Sequence, residues 1–410
     1  MRATRVLIHL DRLVDNLNKV KTHLSRETAA VAAAAGKTAA GGMTVCRKRK
    51  IPRICMPVKA DAYGHGAAAV AWAALNNGVE MLSVATVDEG IALRRAGISS
   101  PVLLLSPALP CELEAAVFYK LTPFVSEKTY IAEFADAATK QRVEKHPVYL
   151  KIETGMGRGG CSPNEAVEFS QFIAEQPALI QTGTATHFAV SDSDAQSDVE
   201  WTRRQIKIFR GAVQAIREAG LEPGIITAAN SGATAAYNEA WFDMVRPGII
   251  LYGYQSKESK PDLNVTPVME FVTQVVMIKK ICKGDSVSYG RTWTAPYDTY
   301  IGVLPAGYAD GIPRALSCCG EKNGRTNCSV PEDSFFVVIN GVKYPLAGRI
   351  CMDQCMINLG AELKVNLYDS AVIFGGNPPS LDAAGIAQRT GTIPYEVLCN
   401  INKRVERVYV

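Results

Sequence analysis

A lysine stands where a hydrophobic segment gives way to a helical pattern. In PVKADAYGHG, residues 57–66, Lys59 directly follows the apolar run ICMPV, and the alanine-rich stretch AAAVAWAALNN comes after it. A partly buried amine loses its proton more easily, and a neutral lysine amine attacks an aldehyde to form a Schiff base. The alternative is a lysine whose stem lies along the rim of the fold while its charged amine reaches solvent.

Short apolar runs, eight in number, succeed one another between residues 54 and 253. They are ICMPV (54–58), MLSVA (81–85), VLLLS (102–106), TPFV (122–125), VYLKI (148–152), TGTATHF (182–188), IITAA (225–229) and DMVRPGIILYG (243–253). Runs this apolar are typical of parallel strands covered by helices on both faces. They predict an α/β fold, a (β/α)8 TIM-like barrel rather than a doubly wound sheet, because eight units favour closure. Lys59 would then lie at the carboxyl end of a barrel strand, where barrels carry their chemistry.

The pattern changes after about residue 262, where strand-like segments follow one another with few helical patterns between them. VVINGVKY, centred on Asn340 and Gly341, predicts a β-hairpin because both residues tolerate positive φ. We therefore predict a barrel over residues 11–262 and a C-terminal antiparallel β domain over residues 263–410. The strand-like residues 1–10 are expected to join the second domain.

The composition is that of an ordinary globular protein. The chain has 410 residues, of which 48% are hydrophobic and 20% charged, and its formal net charge of +4 favours neither nucleic acid nor a membrane as partner. The eleven cysteines are scattered, which indicates reduced thiols of a cytoplasmic protein and no metal site. The alanine-rich run at residues 29–43 is too short to span a bilayer, and we interpret residues 26–50 as an insertion.

Several motifs occur in combination over nearly the whole chain. Besides PVKADAYGHG they are KIETGMGRGG, THFA, AANS, RPGIILYG, VSYGRTW, GYADG, CMDQ and IPYE. Together they closely resemble the motifs of the alanine racemases, enzymes of fold type III that depend on pyridoxal phosphate. The resemblance excludes only residues 26–50 and 318–330.

The resemblance implies a cofactor and a substrate site. Lys59 would hold pyridoxal 5'-phosphate as a Schiff base, and Arg246 would face the ring nitrogen. The other residues implied at the cofactor are Tyr63, His187, Asn230, Ser231, Gly248, Ile249 and Tyr395. Those implied at the substrate are Arg158, Tyr308, Met352 and Asp353, and Lys151 matches a lysine that is often carbamylated in the family and then braces the arginine at position 158.

The resemblance also implies how L- and D-alanine would be interconverted, which would supply D-alanine for cell-wall synthesis. Lys59 and Tyr289 would be two bases acting on opposite faces of Cα in a pyridoxal-phosphate aldimine, with Tyr289 contributed by the partner in a homodimer. A tyrosine needs positive neighbours to act as a base near neutral pH, and His187 and Arg246 are expected to provide them. Because an arginine cannot accept a proton, the ring nitrogen would stay unprotonated, which favours racemisation over transamination.

Other functions remain open at this stage. A decarboxylase of basic amino acids would need an acidic residue at the ring nitrogen, where this chain has Arg246. A non-catalytic pyridoxal-phosphate carrier resembles a lone barrel, and the motifs of the second domain argue against it. A racemase with a broader range, including serine or lysine, is the main alternative, because pocket size is not legible from the sequence.

Single residues also have plainer interpretations. His187 is alternatively a core histidine, Arg246 an arginine in a surface ion pair, and Tyr289 a packed tyrosine. GMGRGG at residues 155–160 fits a dinucleotide-binding fingerprint, but the Ser-Pro pair at 162–163 delays the helix that such a site needs. Family members usually have a histidine four residues before the serine of AANS; this chain has Thr227, so the support of Arg246 differs here.

Overall fold

The structure, a computed structural model, describes residues 2–37, 50–256, 261–317, 335–375 and 381–410. It divides into two compact units. The first comprises Met1–Asp11, Tyr63–Gly66 and Pro267–Val410, and the second comprises Arg12–Ala62 and Ala67–Thr266. We call them the C-terminal unit and the barrel unit. The chain starts with strand β1 (Arg5–Ile8), followed by helix α1 (Leu10–Lys37).

The barrel unit contains a closed barrel of parallel strands, which confirms the predicted fold class. Its strands are β2 (Arg53–Pro57), β3 (Met81–Val84), β4 (Val102–Leu104), β5 (Leu121–Val125), β6 (His146–Lys151), β7 (Leu179–Ala185), β8 (Ile225–Thr227) and β9 (Met244–Val245). Each predicted apolar run overlaps one of these strands. The last run departs most from the prediction, because only two of its residues pair and residues 248–254 form consecutive turns instead.

Helices follow most of the barrel strands. They are α2 (Lys59–Tyr63), α3 (Ala67–Asn76), α4 (Val87–Arg95), α5 (Leu113–Phe118), α6 (Lys128–Lys140), α7 (Ala166–Ala174), α8 (Gln196–Glu218) and α9 (Ser231–Ala236). As the Ser-Pro pair predicts, a 3-10 turn (Pro163–Glu165) separates GMGRGG from α7. Helix α1 extends to Lys37 and so includes the first part of the predicted insertion, whereas residues 38–49 lie outside the described residues. The insertion stays a prediction.

The barrel interior is filled by one layered hydrophobic cluster. Its buried members are Cys55, Leu103, Phe124, Tyr149, Ala185 and Met244. Tyr149 pairs with Gly183 across a register shift between β6 and β7. A Cβ added at Gly183 would lie 2.1 Å from Cε1 of Tyr149, so the glycine makes room for the ring.

The C-terminal unit is built on β structure. Its later strands are β10 (Met269–Gln274), β11 (Met277–Ile281), β12 (Ser286–Val287), β13 (Trp293–Thr294), β14 (Thr299–Leu304), β15 (Phe336–Ile339), β16 (Val342–Pro345), β17 (Cys355–Gly360), β18 (Ser370–Phe374) and β19 (Glu406–Tyr409). Two helices, α10 (Ala383–Thr390) and α11 (Pro394–Cys399), precede β19.

The sheets of this unit are antiparallel except for one pair of strands. The largest has the order β16-β15-β18-β10-β1-β19, in which β1 pairs with β10 antiparallel and with β19 in parallel. Strand β1, near the start of the chain, thus lies between β10 and β19 in this sheet. Asn340 and Gly341, with φ of 50° and 78°, form the predicted hairpin turn between β15 and β16. Within the described part of the chain, no helix is long and apolar enough to cross a membrane.

We predict that Gly183→Ala destabilises the barrel, because the new methyl group must displace the Tyr149 ring from a closely packed interior. The free energy of unfolding should fall by about 1–3 kcal/mol, the usual cost of overpacking. Gly211→Ala is the control, since no atom lies within 4 Å of the added Cβ in the middle of α8. It should raise stability by about 0.5–1 kcal/mol, the usual gain of alanine over glycine in a helix. Urea unfolding followed by circular dichroism measures both; equal changes would contradict the packing argument.

Candidate active site

Lys59 is half-buried and begins the short turn α2 at the carboxyl end of β2. The turn is left-handed: residues 60–63 all have φ between 51° and 55°, although none of them is glycine. This conformation costs roughly 1–2 kcal/mol for each such residue. Backbone strain of this kind persists only where the surroundings enforce it, and it occurs preferentially at functional sites.

Two acidic side chains hold the turn in this conformation. Glu89, at the start of α4, accepts a hydrogen bond of 2.6 Å from the N–H of Ala60. Asp61 accepts one of 2.7 Å from the N–H of Ala67, where α3 begins. The backbone on both sides of the turn is thereby fixed, and the position of Lys59 is fixed with it.

Arg246 lies at the end of β9 and is only 5% exposed. Its guanidinium donates to neutral oxygens alone: Oγ1 of Thr227 at 2.6 Å, and the carbonyls of Thr186 at 2.7 Å and Ala228 at 3.2 Å. Among the described residues, no carboxylate lies within ion-pair distance of it. The interpretation of Arg246 as part of a surface ion pair is therefore wrong.

The nearby Cys55 thiol and Tyr149 phenol do not neutralise the charge of Arg246 either. Burial lowers the pKa of Arg246 to about 10, which leaves the guanidinium protonated near neutral pH. Burial raises the pKa of the Cys55 thiol to about 12, and it raises the pKa of the Tyr149 phenol as well, so both neighbours are neutral. A buried positive charge without a protein anion is costly and favours an anionic ligand.

His187 follows β7 and lies among four cations. Burial, together with the charges of Arg246, Arg158, Lys59 and Lys151, lowers the pKa of His187 to about 3. The imidazole is therefore neutral near pH 7. This corrects the expectation that His187 supplies positive charge to a tyrosine base, whereas Arg246 remains a cation.

Lys151 ends strand β6, and Arg158 lies in the following loop, which Glu153 organises. The Glu153 carboxylate accepts the N–H groups of Gly155, Met156 and Arg158 at 2.5, 2.5 and 3.2 Å. Burial opposes ionisation of Glu153, but these backbone donors outweigh it and lower its pKa. The carboxylate is thus engaged by its own loop.

The amine of Lys151 is shifted toward its neutral form. Burial lowers the pKa of Lys151, and the charges of Arg158 and Arg246 lower it further, against the opposing effect of Glu153. The amine lies beside the loop, because a Cβ on Gly159 would be 3.8 Å from Nζ.

A group of hydrogen-bond donors converges after β8 and β9. The hydroxyl of Ser231 accepts the N–H of Gly248 at 2.8 Å and that of Ile250 at 3.4 Å. Asn230 caps α9 by accepting the N–H of Ala233 at 3.1 Å. The structure therefore brings the Ser231 hydroxyl together with the N–H groups of Gly248 and Ile250.

Tyr63 and Tyr395 meet within the C-terminal unit. Their rings pack edge to face with centroids 5.6 Å apart. Burial raises the pKa of Tyr63, and the nearby Tyr395 and Cys399 add to the shift, so the phenol is a neutral hydrogen-bond donor.

The remaining candidates share one surface region of the C-terminal unit. Tyr308 donates its N–H to the carbonyl of Cys351 at 3.0 Å, immediately before Met352 and Asp353. Ser288, which precedes Tyr289, donates its hydroxyl to the carbonyl of Arg349 at 2.6 Å. Tyr289, Tyr308 and Met352 are 71, 41 and 53% exposed. The packed-tyrosine interpretation of Tyr289 is thus wrong for a single chain.

The barrel residues suit a small anionic aldehyde. They offer a half-buried lysine on a fixed backbone, the buried positive charge of Arg246 and backbone N–H groups that converge on the Ser231 hydroxyl after β8 and β9. A phosphate ester fits such donors, and a second negative oxygen fits the charge of Arg246, whose described hydrogen bonds go to neutral oxygens. Pyridoxal phosphate has both kinds of anionic group and an aldehyde.

Two family models match the chain. They are "Alanine racemase, N-terminal domain", over residues 44–256, and "Alanine racemase, C-terminal domain", over residues 268–409.

Individual relatives match over the full length. The chain is 43% identical to the alanine racemase of Treponema denticola, covering 100% of this chain and 99% of that one. It is 41% identical to that of Treponema pallidum subsp. pallidum, with 100% of both covered.

Solved structures agree with this result. Alanine racemase of Clostridium difficile 630 superposes with a TM-score of 0.84 and 33% identity, covering 100% of this chain and 96% of that one. Alanine racemase of Bacillus anthracis with bound L-Ala-P gives a TM-score of 0.83 and 29% identity, covering 100% and 95%.

We predict that Thr227→Val destabilises the barrel while Thr227→Ser does not. The Thr227 hydroxyl accepts from Arg246 and donates to the carbonyl of Met244 at 2.8 Å. Valine keeps the shape but leaves the buried guanidinium short of an acceptor, which should cost about 1–3 kcal/mol. Urea unfolding of the protein without ligand measures the difference. A valine variant as stable as the serine variant would show that the hydroxyl does not support Arg246.

Proposed function

Because the chain belongs to the alanine racemase family, whose members depend on pyridoxal phosphate, we propose that it interconverts L- and D-alanine with this cofactor held at Lys59. The observation that carries the proposal is the cluster of Lys59, Lys151, Arg158 and Arg246, whose charges act together with burial to keep His187 neutral. D-alanine would serve cell-wall synthesis in the cytoplasm.

We assign the cofactor contacts as follows. Lys59 would hold the aldehyde carbon through its amine, and Arg246 would face the ring nitrogen. The phosphate would be bound by Tyr63, Ser231, Gly248, Ile249 and Tyr395, with Asn230 and His187 completing the surroundings of the cofactor. The convergence of N–H groups on the Ser231 hydroxyl and the neutral Tyr63 phenol support this assignment. When bound, pyridoxal phosphate withdraws electrons from Cα of the amino acid and makes its proton acidic.

Two bases would then move the proton. Lys59 would remove or return it on one face of Cα, and Tyr289 of the partner subunit would act on the other face. A tyrosine, with an ordinary pKa of about 10, needs a positive neighbour for this role. Arg246 would provide the charge, because His187 is neutral.

Arg246 would also decide which carbon receives the proton. It has no acid partner among the described residues and is protonated near pH 7, so it would donate a hydrogen bond to an unprotonated ring nitrogen, whereas its charge would disfavour a proton on that nitrogen. An unprotonated ring nitrogen would make the cofactor a weaker electron acceptor, which would favour return of the proton to Cα. An amino-acid decarboxylase would require an acidic residue at this position.

Arg158, Tyr308, Met352 and Asp353 would bind or admit the substrate. Arg158 would contact the alanine carboxylate with its guanidinium, a geometry that suits two parallel hydrogen bonds. The other three would line the entrance. Their exposure, and that of Tyr289, supports a homodimer in which the C-terminal unit of one subunit completes the site of its partner.

Reconstitution tests the proposed function directly. Purified protein is incubated with pyridoxal phosphate, and the expected result is a yellow absorbance that borohydride bleaches irreversibly in the wild type and not in Lys59→Ala. Exchange of the Cα hydrogen for deuterium is then followed with alanine, serine and lysine. Exchange confined to alanine supports the proposal, comparable exchange of serine or lysine would identify a broader racemase, and carbon dioxide release would identify a decarboxylase.

We predict that Tyr289→Phe impairs proton removal from one enantiomer of alanine far more than from the other, because only one face loses its base. Loss of a general base typically costs 10²–10⁴-fold in rate. Deuterium exchange is measured separately from L- and D-alanine, with Tyr297→Phe, another exposed tyrosine of the same unit, as the control. Equal and mild losses for both enantiomers would contradict the two-base assignment.

We further propose that Lys151 is carbamylated. Its neutral amine would attack carbon dioxide and release a proton, giving an anionic carbamate beside the cationic groups that lower its pKa. Incubation with ¹³C-bicarbonate should give one carbamate signal by ¹³C NMR that is absent in Lys151→Met. The signal should persist toward neutral pH, because the lowered pKa keeps the amine reactive there. A wild-type spectrum identical to that of the variant would contradict the proposal.

A further inference from the structure

A glutamine lies in the middle of the buried face of helix α8. Apart from Thr202, its buried neighbours on that face are Ile206, Phe209, Ala212, Val213 and Ile216, whereas Gln205 is polar and 0% exposed. A buried amide is retained only when its hydrogen bonds are made, and an apolar residue would satisfy the packing equally well. The hydrogen-bond partners of Gln205 therefore indicate what a buried amide does at this position.

The amide of Gln205 uses both of its donors and its acceptor. Nε2 donates to Oγ1 of Thr154 at 3.2 Å and to the carbonyl of His187 at 3.1 Å. Oε1 accepts the N–H of Ala189 at 3.1 Å. Thr154 also shares a hydrogen bond of 2.8 Å with Thr186. One side chain thus joins the loop after β6 to the loop after β7.

These two loops carry different parts of the proposed site. The loop after β6 contains Glu153 and Arg158, and the loop after β7 contains His187. The first loop has glycine at positions 155, 157, 159 and 160, so its sequence gives it little stiffness of its own. The hydrogen bonds to Glu153 fix the conformation of this loop. Its position relative to the rest of the barrel unit depends on contacts with other elements.

A second residue of α8 supports the same loop. Trp201 lies one helical turn before Gln205, and a Cβ on Gly155 would be 3.0 Å from its Cζ2 atom. The guanidinium of Arg204 stacks on the Trp201 ring, 5.4 Å from its centroid. The start of α8 therefore provides a rigid backing for the loop that ends in Arg158.

We propose that Gln205 is a positioning residue that sets the distance between the Arg158 loop and His187. The inference rests on the proposed function for the roles of Arg158 and His187. Without the amide, the N–H of Ala189 and the carbonyl of His187 lose their partner inside the protein, and the two loops are no longer joined through a common group. Arg158 would then meet the substrate carboxylate less precisely.

The test compares Gln205→Leu with Gln214→Leu. Gln214 lies on the same helix, is exposed, and bonds only to Glu218 on that helix at 2.9 Å among the described contacts. In the holoenzyme, Gln205→Leu should raise the KM for alanine about tenfold and change kcat less, because small misplacements of a binding group are expensive. Gln214→Leu should leave both unchanged. If Gln205→Leu lowers the melting temperature but leaves the KM and kcat of the wild type, Gln205 is merely structural and the proposal is overturned.

Hydrogen exchange in the protein without cofactor tests the proposal independently of the enzymatic activity. The Ala189 amide and the amides of residues 153–158 should exchange at least about tenfold faster in Gln205→Leu than in Gln214→Leu, since both loops are released. Unchanged protection would overturn the inference even if the protein racemises alanine. Faster exchange in a protein that neither binds pyridoxal phosphate nor racemises would uphold the link between the loops and refute the proposed function.

Gln205→Glu separates the two halves of the amide. Its carboxylate can still accept the N–H of Ala189 but cannot donate to Thr154 and His187. Protection of the Ala189 amide should therefore be retained while the KM defect persists. A normal KM in this variant would show that the donor side of Gln205 has no part in positioning.

Discussion

The arrangement of the barrel depends on a buried arginine that the protein does not neutralise. Arg246 donates only to neutral oxygens, and the thiol and phenol beneath it are kept neutral by the same burial. Burying this charge therefore costs desolvation energy, which an anionic ligand would offset. The neutral state of His187 follows from the same cause, because an additional positive charge among these cations would be still more unfavourable.

The left-handed turn after Lys59 is a second energetically unfavourable feature, because its non-glycine residues adopt positive φ. Four consecutive residues with positive φ are unfavourable in isolation, and two hydrogen bonds oppose this cost: one from the turn to Glu89 of α4, and one from the first residue of α3 to Asp61 of the turn. The result is that a flexible lysine starts from an inflexible backbone. Positive charge and strain are thus both concentrated at the carboxyl ends of the barrel strands, where the sequence motifs also lie.

Much of the fold can be predicted from the sequence because buried strands consist of runs of apolar residues. Eight apolar runs predicted eight barrel strands, and Asn340 with Gly341 predicted a hairpin through their tolerance of positive φ. The apolar run at 243–253 predicts a longer strand than the two residues of β9, because the apolar residues after Val245 are buried by turns rather than by strand pairing. Hydrophobicity reports burial and does not by itself distinguish these two kinds of backbone.

The sequence predicts site residues that belong to a recognisable motif. It predicts less well a protonation state or position that depends on contacts between distant segments of the chain. The sequence indicates a histidine at position 187 but not that burial and the charges of four basic residues keep it neutral, since those residues are far apart along the chain. Gln205 left only one signal, a polar side chain on the apolar stripe of a helix. Residues that bind can be recognised by chemical type, whereas residues that position them are defined by hydrogen-bond partners, and these become visible only when strands and helices are assembled.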